Sequence, residues 1–383
     1  MISIKKPRQI DLIFLFVYAT YLLEIGNMKY VLAMFFAFLY IVIMASRDKR
    51  LVTKESEKMF VIILCSIVIL AFITLLLQLW NGFQKYAINE VIYFITPLGF
   101  VWIFVNNSDE NRMEKMLDYM FAVAVSTYII RIIPDLTMDN LKEMSLRTSY
   151  SVFESGYGFT MIVFEWLYLY KKEKKKALLA LVLCLLSFKR FNMLAAIVMF
   201  LFSKKLITRN RVSNWTRIVV IVWFVLLPVA MCLIVTDEFN NWFARSFGMT
   251  LHQFTLSRST RISMLMESDE VKYGLGSTTV YLTKVYQEMH QSTIEQWNLH
   301  NDVVRIYMEC GILGSVVFTS AYFKSVCFQR APFVLMCYIF LESCVNHLFG
   351  AGSVQYWLLI YLAIAYAAET HYKEDSLRTE EIA

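Results

Sequence analysis

Residues 177–203 read ALLALVLCLLSFKRFNMLAAIVMFLFS, an apolar run with Lys189 and Arg190 at its centre. One helix through the whole run would hold two cations at mid-membrane, at a cost of about 5–7 kcal/mol on an insertion scale. It would also send Lys204, Lys205, Arg209, Arg211 and Arg217 to the outer side, against the excess of Lys and Arg expected in cytoplasmic loops. A hairpin of two short helices keeps these five cations inside, together with Lys171, Lys172, Lys174, Lys175 and Lys176. The hairpin is therefore the reading that fixes the topology. Each arm has about 12 residues and reaches about 18 Å, less than the roughly 30 Å of a hydrocarbon core. The Lys189-Arg190 turn is thus expected at or below the outer bilayer surface.

Composition agrees with a membrane protein. Hydrophobic residues make up 58% of the 383 and charged residues 18%, against about 25% charged in soluble chains. The net charge of +6 is read as loop placement of Lys and Arg, not as a nucleic-acid surface. The seven cysteines fall in apolar segments, which argues against a disulfide framework or a cysteine metal site. The first apolar stretch follows a basic start but lacks a small-residue cleavage site, so it reads as a retained anchor.

Outward from the hairpin, further spans are expected at about 10–26, 29–46, 59–80, 88–105, 116–133, 150–170, 216–235, 303–323, 332–349 and 354–368. With the two arms this gives an all-α polytopic membrane protein of about twelve transmembrane helices. Both termini are expected on the cytoplasmic side. No internal repeat is visible, so residues 1–383 read as one membrane domain. The long polar interval 236–302 is its one large external loop.

Several chemistries are excluded. There is no Gly-x-x-x-x-Gly-Lys phosphate loop, no His-Glu-x-x-His zinc pair and no Gly-x-Ser-x-Gly elbow. No cytoplasmic stretch is long enough for a nucleotide-binding domain. A substrate must therefore arrive already activated, most simply on a membrane lipid, and no metal or other cofactor is expected.

External cations are the remaining chemistry. Arg190 stands in the hairpin, Arg147 precedes the 150–170 span, and Arg245, Arg258 and Arg261 lie in the large loop. Guanidinium groups match phosphate oxygens bidentately and stay charged when partly desolvated. For Arg245 and Arg258 the plainer reading is a solvated loop charge. For Arg190 depth makes an idle cation costly. His300 sits just before the 303–323 span, where the helix dipole disfavours a positive charge and a neutral imidazole can accept a proton. The alternative is an interfacial histidine capped by Asn301 or Asp302. Glu309, further along that helix, is either a catalytic carboxylate or the ion-pair partner of Arg305 at i−4.

Leu299-His300-Asn301-Asp302, followed by Glu309-Cys310-Gly311-Ile312-Leu313-Gly314, resembles the H-N…E-x-G-(I/L)-x-G signature of the O-antigen polymerase and ligase superfamily. Arg261 with Gly274-Leu275-Gly276 is similar to that family's Arg…Gly-x-Gly segment, and Leu186-Ser187-Phe188-Lys189-Arg190 to its arginine-bearing external hairpin. Arg147 with Phe153-Glu154-Ser155-Gly156 resembles an element of capsular repeat-unit polymerases, with Gly156 departing from the pattern.

The resemblance implies a metal-independent glycosyltransferase with a fold like the C-type membrane enzymes, in a bacterial cytoplasmic membrane. Its substrate would be an oligosaccharide repeat unit on undecaprenyl diphosphate, polymerised on the outer face. Membrane lipids and a chain-length regulator are the partners it allows; nucleic acid is not among them. Arg190 and Arg261 would bind the donor diphosphate, with Arg258 as fallback, and His300 would orient or deprotonate the acceptor hydroxyl. Arg147, Asn301 and Glu309 would contact substrate. A ligase moving glycan to a lipid core shares the loop and the histidine, whereas Phe188-Lys189-Arg190 and the Arg147–Gly158 segment look more like a polymerase. A transporter of lipid-linked sugars is the alternative of another class, though it would be expected to show repeated halves.

Overall fold

A computed structural model describes residues 9–23, 54–84, 86–144, 157–255, 258–268, 271, 274–290, 297–350 and 353–382. Among the described residues every regular element is helical. Numbered over those residues, the first half comprises α1 (Gln9–Leu23), α2 (Lys54–Asn81), α3 (Tyr86–Asn106), α4 (Glu110–Ile132), α5 (Met138–Glu143) and α6 (Tyr157–Tyr170). The middle comprises α7 (Lys174–Leu186), α8 (Arg190–Leu201), α9 (Ser203–Leu206) and α10 (Asn214–Ile234). The large loop holds α11 (Asp237–Phe247), α12 (Leu251–Phe254), α13 (Arg258–Met266) and α14 (Ser277–His290). The chain ends with α15 (Asp302–Val326), α16 (Arg330–Ser343) and α17 (Val354–Ile382).

Among the described residues five helices are long and apolar enough to cross a membrane, over Ser56–Asn81, Tyr86–Asn106, Glu110–Asp135, Asn214–Ile234 and Asp302–Val326. Shorter apolar helices cover Asp11–Leu23, Gly158–Tyr170 and Arg190–Leu201. The expected span 29–46 lies outside the described residues. Large apolar side chains such as Phe72, Leu76 and Leu79 on α2 and Trp223 and Leu226 on α10 are exposed, as lipid-facing surface requires.

The run 177–203 divides where its charges are. α7 ends at Leu186 and α8 opens at Arg190, joined by a turn in which Phe188 has φ 52°. Breaking here removes Lys189 and Arg190 from a helix interior. At the opposite end of α7, Lys171 binds Glu114 at 3.0 Å, Asp118 at 3.3 Å and Glu173 at 2.7 Å, neutralising part of the basic cluster there.

α17 forms the centre. It is apolar on all sides over its first half and buried on all sides, against α1, α2, α3, α4 and α6. Aromatic rings lock its start: Phe349 lies 4.5 Å from Trp357 and 4.8 Å from Phe318, and Tyr322 lies 5.4 Å from Trp357, centroid to centroid. Pro97 within α3 and Pro228 within α10 are accommodated without ending either helix.

Two segments differ from expectation. The span expected at 332–349 stops at Ser343, because the chain beyond turns its backbone toward side chains. Asp302 accepts from Leu348 N and Phe349 N, Ser353 donates to His347 O at 2.9 Å, and Trp357 donates to Leu348 O at 2.7 Å. With those groups engaged, the helical ladder cannot continue. The polar tail expected after residue 368 instead prolongs α17 to Ile382. Residues 369–382 contain four Glu and no Gly or Pro, a composition compatible with helix.

The large loop folds down onto the membrane helices. Gly274 and Gly276 have φ 92° and 84°, where only glycine is unstrained. A Cβ on Gly274 would meet the Thr74 backbone at 2.8 Å, and one on Gly276 would meet the Tyr86 ring at 2.6 Å. Leu275 N donates to Thr74 Oγ1 at 3.1 Å in the same contact. The Gly-Leu-Gly segment thus seats the loop against α2 and α3.

Candidate active site

The start of α15 organises the site. Asn301 is the N-cap, and its side chain accepts from Val304 N at 3.0 Å. Asp302 follows, fully buried. Its Oδ1 lies 2.7 Å from His347 Nδ1 and 3.1 Å from Arg305 Nε, and its Oδ2 accepts from the Leu348 and Phe349 amides. Arg305 is buried too, binding Glu90 on α3 at 2.6 Å and donating to Phe349 O at 2.6 Å. This network ties α3, α15 and the 346–350 turn together.

Asp302, ion-paired with Arg305 and accepting two amides, is an ionised acceptor. His347 Nδ1 is therefore the donor to Asp302. The ring abuts Gly350, where a Cβ would stand 2.1 Å from Nε2. A buried carboxylate holding one nitrogen of an imidazole that borders a cavity is the geometry of an oriented base.

That cavity, of about 250 Å³, is lined by Lys189, Asn192, Asn298, His300, Glu342, Asn346 and His347, with Phe159 and Tyr356 as aromatic walls. It is smaller than a drug-sized site of about 300–1,000 Å³ and suits part of a larger ligand. Glu342 accepts from Asn346, and from Asn192 at 2.6 Å when that amide is oriented to donate. Lys189 and Arg258 act on Glu342 electrostatically. Amides, a carboxylate, an ammonium and two imidazoles match the hydroxyl groups of a sugar.

His300 adopts φ 54° and makes no hydrogen bond among the described residues. Neither Asn301 nor Asp302 caps it: they bind Val304 N and His347 instead. Burial among protein groups, then the charges of Arg261, His347 and Arg258, push its pKa down to about 4, against a smaller opposing effect of Asp302. The imidazole is neutral at pH 7, as its position predicts, and a weak base.

Arg258 and Arg261 stand one turn apart on α13. Arg261 donates to Asn298 O at 2.5 Å and stacks over the Trp297 ring at 4.4 Å. Among the described residues neither guanidinium forms an ion pair, and burial lowers the pKa of both. Together they make a partly desolvated positive site beside His300, electrostatically open to an anion.

The other predicted residues fall elsewhere. Arg190 opens α8 exposed and does not line the cavity; its neighbours Lys189 and Asn192 do. Arg147 lies outside the described residues. The Asn301 oxygen is engaged as a cap. Glu309 is not paired directly with Arg305: its Oε1 accepts from Thr278 N at 3.2 Å and Thr278 Oγ1 at 2.5 Å, clamping the start of α14. It faces a second, mainly apolar cavity of about 540 Å³ beside the break in α15 at Gly311.

His347 is the residue that sequence reading missed. It lies inside an apolar run that reads as a span, and its partner Asp302 is 45 positions away. The adjacent polar pair Asn346-His347, ending an apolar run before Gly350, was the available signal. Compared with family models, curated proteins and solved structures, the chain matches none.

Proposed function

We propose that the chain is a metal-independent membrane glycosyltransferase. In this reading it moves a glycan from a lipid diphosphate, undecaprenyl diphosphate in the bacterial setting, to a hydroxyl of the next lipid-linked repeat unit, and so builds a polysaccharide. The reading rests on the sequence resemblance. The observation that carries it is one polar cavity where an Asp302-oriented His347 and neutral His300 stand beside Arg258 and Arg261, which form no ion pair among the described residues.

Arg261 and Arg258 hold the donor diphosphate. The acceptor hydroxyl oxygen bonds to the anomeric carbon as the bond from that carbon to the diphosphate oxygen breaks. The electron pair leaves on the diphosphate, where the two guanidiniums stabilise it. The hydroxyl proton passes to His347 Nε2, and Asp302 stabilises the resulting imidazolium. His300, a neutral acceptor, orients the hydroxyl. Lys189, Asn192 and Glu342 bind sugar hydroxyls. Arg190, exposed at the hairpin turn, meets the diphosphate at entry.

Cells carrying His347→Ala, His300→Ala or Arg190→Ala are expected to show glycan of a single repeat unit in place of polymer, at normal protein level. Normal chain lengths in His347→Ala and His300→Ala would overturn the reading. Loss of all capped glycan, single units included, would point to the ligase reaction.

A further inference from the structure

Helix α11 has an aromatic stripe that the described residues leave largely uncovered. Phe239, Trp242, Phe243 and Phe247 recur at helical spacing. Their rings cluster, with centroids 5.1 Å apart for Phe239–Trp242, 4.6 Å for Phe243–Phe247 and 5.5 Å for Phe243–Phe254 of α12. No residue of α11 is buried, and Trp242, Phe247 and Phe254 are 54%, 59% and 63% exposed. Asp237, Glu238, Asn241 and Arg245 occupy the opposite face.

This is a finished helix, not a frayed connection. Thr236 accepts from Phe239 N at 3.3 Å at one end, and Gly248 with φ 70° closes the other. Eleven residues are too few for a stable isolated helix in water. A stripe of exposed aromatics on such a helix implies a partner for it.

The position of α11 says which partner. Membrane-spanning α10 ends at Ile234 and α11 starts at Asp237. Three residue steps reach about 10 Å at most, so α11 begins at the depth where α10 leaves the bilayer. Leu233 and Ile234 are exposed and continue the lipid-facing strip of Trp223 and Leu226 toward the aromatic stripe. Aromatic residues favour this interfacial zone.

We propose that α11, with Phe254 of α12, lies flat in the headgroup region of the leaflet where α10 ends, its aromatic stripe at the boundary with the acyl chains. The partner is phospholipid, with the stripe immersed roughly 5–10 Å. The placement is independent of any catalytic reading. It holds α13, which follows through α12, close over the membrane surface.

The test uses the full chain in vesicles of phosphatidylethanolamine and phosphatidylglycerol carrying a nitroxide lipid. Emission of Trp242 is obtained by subtracting the Trp242→Phe variant from the unaltered chain. A nitroxide near the top of the acyl chain is expected to remove about half or more of that emission, and one near the methyl end distinctly less. Phe247→Asp with Phe254→Asp should reduce the shallow quenching while the protein still reconstitutes. Quenching by aqueous acrylamide with none from lipid would place the stripe in water and overturn the proposal. Protection from both quenchers would mean that a second copy or another protein covers it, which also overturns it.

Discussion

His300 and His347 border one cavity, yet their surroundings give them different chemistry. Asp302 fixes His347 through Nδ1 at 2.7 Å, while the field of Arg261 and Arg258, added to burial, drives protons from His300. In the proposed reaction, His347→Gln is expected to lower turnover by about 10²–10⁴, the usual contribution of a general base. His300→Gln should lower it less, because an amide can still orient a hydroxyl. Steady-state rates on a lipid-linked acceptor check both. His300 also couples folding to pH. Its folded pKa of about 4 lies below its unfolded value of about 6.5, so the unfolded chain binds more protons between those values. Stability contributed by neutral His300 is therefore full above about pH 6.5 and lost as the pH falls toward 4. The His300→Gln protein should lose less melting temperature than the unaltered chain between pH 7 and pH 5. Arg261→Ala removes the largest neighbouring charge, and the His300 titration followed by nitrogen NMR should move upward; an unmoved titration would separate the two groups. His300 was legible in sequence because it stands at a loop-to-helix boundary. His347 was not, because its meaning comes from a carboxylate distant in sequence.

Among the elements, the hairpin α7–α8 was the most legible, since charge placement alone forbids one helix through Lys189 and Arg190. What sequence could not give was which hairpin residues face the cavity: Lys189 and Asn192 do, and Arg190 does not. In sequence, Gly274 and Gly276 resemble only a family's Gly-x-Gly segment. Their evident work is to let the loop lie against Thr74 and Tyr86, a contact across 201 positions for Leu275 N and Thr74 Oγ1. Gly274→Ala adds a Cβ against backbone at a positive φ and is expected to cost on the order of 1–3 kcal/mol. A melting curve in detergent should show it, and an unchanged melting temperature would contradict the packing described. Gly350→Ala tests a different element: its methyl would displace the His347 ring, so activity should fall far more than stability.

At the scale of the molecule, all-helical membrane character followed from composition and apolar runs, and five described helices have the required length. The ends of α16 and α17 did not follow, because tertiary acceptors stop the first and a composition compatible with helix extends the second. The second cavity, beside Gly311, was also hidden, since it is made by α2, α10, α13 and α15 together. The central claim is that one chain joins lipid-linked glycans by its own side chains. Its most direct test is purified protein incubated with a defined lipid-diphosphate-linked repeat unit, without nucleotide or added metal, the products resolved by size. The account predicts a ladder of elongated lipid-linked glycans with release of lipid diphosphate, abolished by His347→Ala. Repeat units returned unchanged by the folded, unaltered protein would contradict it.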